Sequence, residues 1–131
     1  MSIPSNCKYS EDHTWVRLVG GKVAYLGITD FAQGELGALV HIEVDTVGTN
    51  VEANKVAGTI EATKTTSELS MPVNAKVLEF NAKLSDAQGG DPSLVNSDPY
   101  GDGWILKIEV ERVDDLNGLM NAASYQQQIA Q

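Results

Sequence analysis

The 131 residues include one cysteine, two histidines and four prolines, and aromatic residues make up 6% of the chain. With Cys7 alone, no internal disulfide can form, which fits a reducing compartment. No cluster of basic residues and no helix start is evident at Cys7 to acidify it, so no reactive role is assigned to it. His13, His41 and one thiol make no cluster at metal-ligand spacing, and a zinc site is not expected. No serine stands in a nucleophile elbow, and Gly89 and Gly90 lack the Lys and Ser/Thr that complete a phosphate cradle. Glu11, Asp12 and His13 could place an acid beside a base, but a solvated turn is the simpler account of them. No run approaches the roughly 18 apolar residues of a membrane span. The opening MSIPSNCKYSED has neither a basic start with an apolar core nor an Arg-rich amphipathic pattern, so no secretory or transit peptide is expected.

Positive charge is scarce as well. Nine basic residues stand against eighteen acidic ones, for a formal net charge of -9, and the acids are spread along the chain. That balance repels phosphate backbones and anionic lipid surfaces, so neither nucleic acid nor a membrane is expected as a partner.

What is present reads as one domain over residues 1–131, large enough to bury roughly two thirds of its unfolded surface. Residues 14–19 and 22–28 are apolar runs about Gly20 and Gly21, a pair suited to a tight turn, and should pair antiparallel. Thr29 is placed to cap a short helix holding Phe31, Ala32 and Leu36 on one face and ending at Gly37. Residues 39–44 alternate, which puts Val40, Ile42 and Val44 on one face and leaves His41 and Glu43 solvated. Residues 73–80 read as a further strand. Residues 81–100 are broken by glycine and proline around one helical turn near Leu94. In residues 104–110 the buried face is expected to hold Trp104, Leu106, Ile108 and Val110. Asp114 can cap a C-terminal helix over about 114–127 with Leu116, Leu119, Met120 and Ala123 in one stripe, and the glutamine-rich end should fray. The sum is mainly β, a compact sandwich or barrel with small helices at its edges.

The chain is organised around residues 58–73, two strand-like runs on either side of Lys64. Thr59, Ile60, Thr65 and Thr66 are β-branched and favour a pleated backbone. The long side chain at the apex is the Lys64 amine, flanked by Thr63 and Thr65. A nucleophilic lysine needs burial to shed its proton, and a hairpin tip supplies none. The same exposure suits an amine that another enzyme grips and acylates, and a stiff root lets an appended group sweep widely. From spacing alone, a solvated turn lysine remains the simpler account.

The stretch resembles the attachment hairpin of biotinyl and lipoyl carriers. Six blocks narrow it: YSEDHTW at 9–15, LGITDFAQ at 26–33, Leu36 with Gly37, IEATK at 60–64, Pro72 with Val73, and LVNSDPYGDGW at 94–104. In order and spacing they resemble the H-protein family of the glycine cleavage system. Biotinyl domains carry methionine on both sides of the lysine, where Thr63 and Thr65 stand here.

The resemblance implies a barrel-sandwich hybrid fold with lipoic acid joined to Lys64 through an amide. It implies a carrier, not an enzyme: an aminomethyl group would pass from glycine decarboxylase (P protein) to aminomethyltransferase (T protein). Dihydrolipoamide dehydrogenase (L protein) would reoxidise the arm, and lipoylating enzymes would be further partners. The alternative is an H-protein-like lipoyl carrier serving lipoate relay or another redox pathway. Glu61 falls at a family acidic position and is expected to aid recognition by the lipoylating enzyme, and Asp12 and His13 to line the cleft that shields the loaded arm. Trp15 and Trp104 are expected in the core, and residues 98–104 in a turn feeding the last strand. The expected setting is a bacterial cytoplasm, with a mitochondrial matrix as the other. The chain departs from the family pattern where Asn74 and Ala75 replace a usual Ser-Gly, at Gly34 and Ala38, and at Gly89 and Gly90. A glycine replaced by Ala75 raises the question of a positive φ there.

Overall fold

The computed structural model describes residues 3–130. Nine strands follow in order: β1 (Lys8–Tyr9), β2 (Thr14–Gly20), β3 (Val23–Ile28), β4 (Leu39–Glu43), β5 (Asn50–Val51), β6 (Val56–Ala62), β7 (Thr66–Ser70), β8 (Ala75–Phe80) and β9 (Leu106–Val110). Helix α1 (Asp30–Leu36) follows β3, α2 (Leu94–Ser97) precedes β9, and α3 (Ala122–Ile129) closes the chain. The strands form a six-stranded sheet in the order β1-β2-β3-β9-β8-β5 and a three-stranded sheet in the order β4-β6-β7, every pair antiparallel. The expected mainly β fold with short peripheral helices and a C-terminal helix is therefore the fold observed.

The main core joins the two sheets. Val16, Ala24, Leu26, Leu106, Ile108 and Val110 of the larger sheet bury with Leu39, Ile42, Ala57, Ile60 and Leu69 of the smaller one. A second cluster of Cys7, Tyr9, Trp15 and Tyr125 lies where the two ends of the chain meet, with Tyr9 and Tyr125 stacked at 4.7 Å and 9° between planes. Such aromatic pairs add about 0.5–1.5 kcal/mol beyond their buried area. The Trp15 indole donates to the Pro99 carbonyl at 3.0 Å, so the expected core role of Trp15 stands, in this second cluster.

Several local expectations hold with physical cause. Gly21 takes φ +56 in the β2–β3 turn. The Thr29 side chain accepts from the Ala32 N–H as the cap of α1, and Gly37 ends that helix. The block at 98–104 is a tight turn: the Asp98 carbonyl accepts from Gly101 and Gly103, and its carboxylate from the Asp102 N–H at 2.9 Å. Ala75 needs no positive φ; it is buried in β8 opposite Val51 and Val110, while Asn74 accepts the Ala53 N–H.

Others need correction. The register shifts between Leu39 and His41, so β4 buries Leu39 and Ile42 and turns Val40 out to 48% exposure. The bulge inserts one residue, and strict alternation cannot survive it. Trp104 lies outside β9, half-buried on Tyr25 at 4.7 Å and not on the core face; Ile105 is buried instead. The C-terminal helix does not run 114–127. A 3₁₀ turn at Val113–Gly118 comes first, the chain then extends at Met120 to pair with Tyr9, and Asn121 caps a separate α3. Two backbone hydrogen bonds to Tyr9, each 2.8 Å, draw Met120 out of helical geometry. Gln126, Gln127 and Gln128 are helical, and Gln131 lies outside the described residues.

A Cβ built on Gly27 would lie 2.8–2.9 Å from the Trp15 indole. Gly27→Ala should thus overpack the second cluster and cost about 1–3 kcal/mol. Urea unfolding followed by tryptophan fluorescence measures it; an unchanged midpoint contradicts the close approach.

Candidate functional site

Lys64 sits where the pattern places it. β6 and β7 pair with Glu61 opposite Thr66, and Ala62 donates to the Thr65 carbonyl at 2.8 Å, which leaves Thr63 and Lys64 as a two-residue loop. The Thr63 N–H bonds the Ala38 carbonyl at 3.1 Å and braces the tip against the segment between α1 and β4. The Lys64 side chain is exposed and makes no hydrogen bond or ion pair among the described residues. Its amine projects from a firm root and is open to modification. Glu61 is exposed on β6, with Thr66 on one side and His41 on the other.

Asp12 and His13 lie elsewhere, in the turn between β1 and β2. They form one side of a groove of about 480 Å³ whose other walls are α1, with Phe31, Glu35 and Leu36, and β7, with Ser67, Glu68 and Leu69. β7 belongs to both features: one end enters the Lys64 loop and its middle walls the groove. Glu61 does not line the groove. The floor includes Ile28, Ile60 and Leu69, while Asp12, Glu35 and Glu68 add carboxylates. That combination can hold an extended apolar chain with a polar or cationic end.

His13 is the most constrained residue of this wall. It takes φ +66, a left-handed conformation uncommon outside glycine, with its carbonyl accepting from Thr29 and its N–H donating to Ser10. Nδ1 lies 2.7 Å from the Tyr125 hydroxyl, which lies 2.7 Å from the Thr29 hydroxyl, and the Phe31 ring packs 4.9 Å away. Burial lowers the pKa of His13, against the opposing pull of Asp12 and Glu35. Burial raises that of the Tyr125 hydroxyl, which therefore keeps its proton.

Sequence reasoning missed Tyr125 and Phe31 and read Thr29 only as a cap. No local signal exists for Tyr125, because its bond to His13 spans 112 positions. Phe31 was legible as apolar, but not its packing on a histidine from another turn. Among the described residues, no group of three or more His, Cys, Asp or Glu is placed to hold a metal ion, and no helix is long and apolar enough to cross a membrane.

A folded-state pKa below the ordinary 6.5 means that unfolded His13 binds its proton more readily. The stability it contributes is full above that ordinary value and declines as pH falls through it toward the folded one. His13→Asn, which tolerates a left-handed backbone, should flatten this decline. Urea midpoints at about pH 7.5 and about pH 5 check it: parallel losses in both proteins would exclude His13 as the source.

The family model for the glycine cleavage H-protein matches residues 7–131. A glycine cleavage system H protein of Bacteroides fragilis is 46% identical over 125 residues, 95% of each chain. One of Chlorobium limicola is 42% identical over 132 aligned positions, covering 100% of both. The crystal structure of a glycine cleavage system H protein from Mycobacterium marinum superposes with a TM-score of 0.85 at 32% identity, covering 98% of this chain and 100% of that one. Sequence, architecture and full-length coverage agree, and the chain belongs to the glycine cleavage H-protein family.

Proposed function

We propose that the chain is the lipoyl-bearing shuttle of the glycine cleavage system, with Lys64 as its attachment residue. The observation that carries the reading is the Lys64 amine, without a partner among the described residues, at the tip of a hairpin whose second strand walls the groove. Joined to Lys64 through an amide, lipoic acid would supply the dithiolane chemistry for carrying an aminomethyl group from glycine decarboxylase to the aminomethyltransferase, with dihydrolipoamide dehydrogenase as the reoxidising partner.

The chain's own residues anchor, present and shelter. Paired β6 and β7 fix the root of the arm so that motion is confined to the side chain and what it bears. Acylation removes the Lys64 charge, so an arm that folds back carries no ammonium into the apolar floor of Ile28, Ile60 and Leu69. Asp12, Glu35 and Glu68 favour a cationic end group, and the walls of α1 and β7 limit water around it. Nothing in this machinery breaks or forms a bond; the chain is a carrier whose chemistry belongs to its partners. The exposure of Glu61 two positions before the loop supports a part for it in recognition by the lipoylating enzyme. The bacterial relatives support a bacterial cytoplasm as the setting.

Lys64→Arg should abolish lipoylation, seen as loss of the adduct by peptide mass, while stability changes by less than about 0.5 kcal/mol. An adduct persisting elsewhere refutes the site. Glu61→Ala should slow modification by the purified lipoylating enzyme several-fold at similarly unchanged stability, and an unaltered rate removes its recognition role.

A further inference from the structure

The Thr29 side chain is wholly buried, and its hydroxyl has two partners: the Ala32 N–H at 3.2 Å and the Tyr125 hydroxyl at 2.7 Å. The N–H can only donate, so the hydrogen of Thr29 has one acceptor within reach, the Tyr125 oxygen. Reversing that bond would strand a buried donor, which folded proteins avoid. Tyr125 therefore accepts from Thr29 and directs its own single hydrogen at its other partner, Nδ1 of His13. A ring nitrogen that accepts bears no proton, so the imidazole is neutral with its hydrogen on Nε2. Nε2 has no hydrogen-bond partner among the described residues, and no buried side-chain nitrogen or oxygen among them is left unpaired. It is therefore open to solvent, on a residue that lines the groove.

We infer that Tyr125 and Thr29 are positioning residues that hold His13 as a neutral Nε2–H donor to the groove, where it bonds a lone-pair atom of the occupying arm, the thioether sulfur that carries its end group. The identity of the occupant rests on the carrier reading; the tautomer does not. The groups facing His13 are Asp12 on its own turn, Glu35 from α1, Glu68 on the β7 wall and Tyr125 from α3. The carboxylates favour an imidazolium, whereas burial and the bond from Tyr125 oppose it. A neutral donor presents hydrogen-bonding capacity without setting a second positive charge against an amine carried by the arm. The left-handed backbone and the Phe31 contact fix the ring's place, and the hydroxyl chain fixes its proton.

Imidazole nitrogen NMR of the ¹⁵N-labelled chain tests both halves. Unmodified wild type above about pH 7 should show the Nε2–H pattern for His13. Tyr125→Phe, which keeps the ring stacked on Tyr9, should mix the tautomers, and Thr29→Ser, which keeps the hydroxyl, should preserve the pattern. An Nδ1–H pattern in wild type, or an unchanged one in Tyr125→Phe, overturns the assignment. In the lipoylated chain, loading from glycine by the decarboxylase should move the His13 Hε2 resonance downfield, and much less in Tyr125→Phe. A resonance unmoved on a chain shown by mass to carry the loaded arm overturns the donor role. A chain that accepts no lipoate refutes the carrier reading instead, and the tautomer is still decided on the unmodified protein.

Discussion

The pairing register of β6 and β7 is the constraint on which the rest depends. Ile60 and Leu69 face the core from the regularly paired stretch, while Glu61, Thr66 and Glu68 are exposed. Side chains alternate with period two along a strand, so a slip by one position would expose Ile60 and drive a carboxylate inward. Burial of these two apolar side chains thereby decides that Lys64, and no neighbour, stands at the apex. The apparatus for presenting the lysine is a hydrophobic one, and the polar loop only inherits its position.

A different kind of tie secures the groove. Tyr9 and Tyr125 stack, Met120 pairs with Tyr9, and the Trp15 indole reaches the Pro99 carbonyl, so the two ends of the chain and the 98–104 turn converge on one aromatic cluster. No described residue of α3 lines the groove, yet the bond from the Tyr125 hydroxyl to His13 links the C-terminal segment to its wall. The end of the chain acts at a distance in sequence and at contact in space.

The parts of this design that were legible are those that local rules govern. Thr29, Gly21 and Gly37 each do what their residue types favour, and the β-branched residues about Lys64 mark its hairpin. Where a one-residue insertion reset the alternation, as at Val40, no periodic pattern could announce it. The break between the 3₁₀ turn and α3 was hidden for a related reason: Leu116, Leu119 and Met120 keep helical spacing, but the backbone bonds that Met120 makes with Tyr9 override it. At the site, Lys64 was readable and Asp12 and His13 were readable as neighbours. The proton arrangement behind His13 was not, because it is a property of three side chains brought together by the fold.

Because β7 lies at the border of the three-stranded sheet, one side of its backbone has no neighbouring strand among the described residues. Such borders are templates for edge-to-edge association, and the hazard grows with length and apolar character. β7 is five residues long, and Glu68 stands exposed at its centre. The carboxylate that lines the groove on one account is, on another, a guard against fibrillar self-association. A sheet that presents Lys64 from its β6–β7 loop can therefore leave that border uncovered without offering a long apolar template.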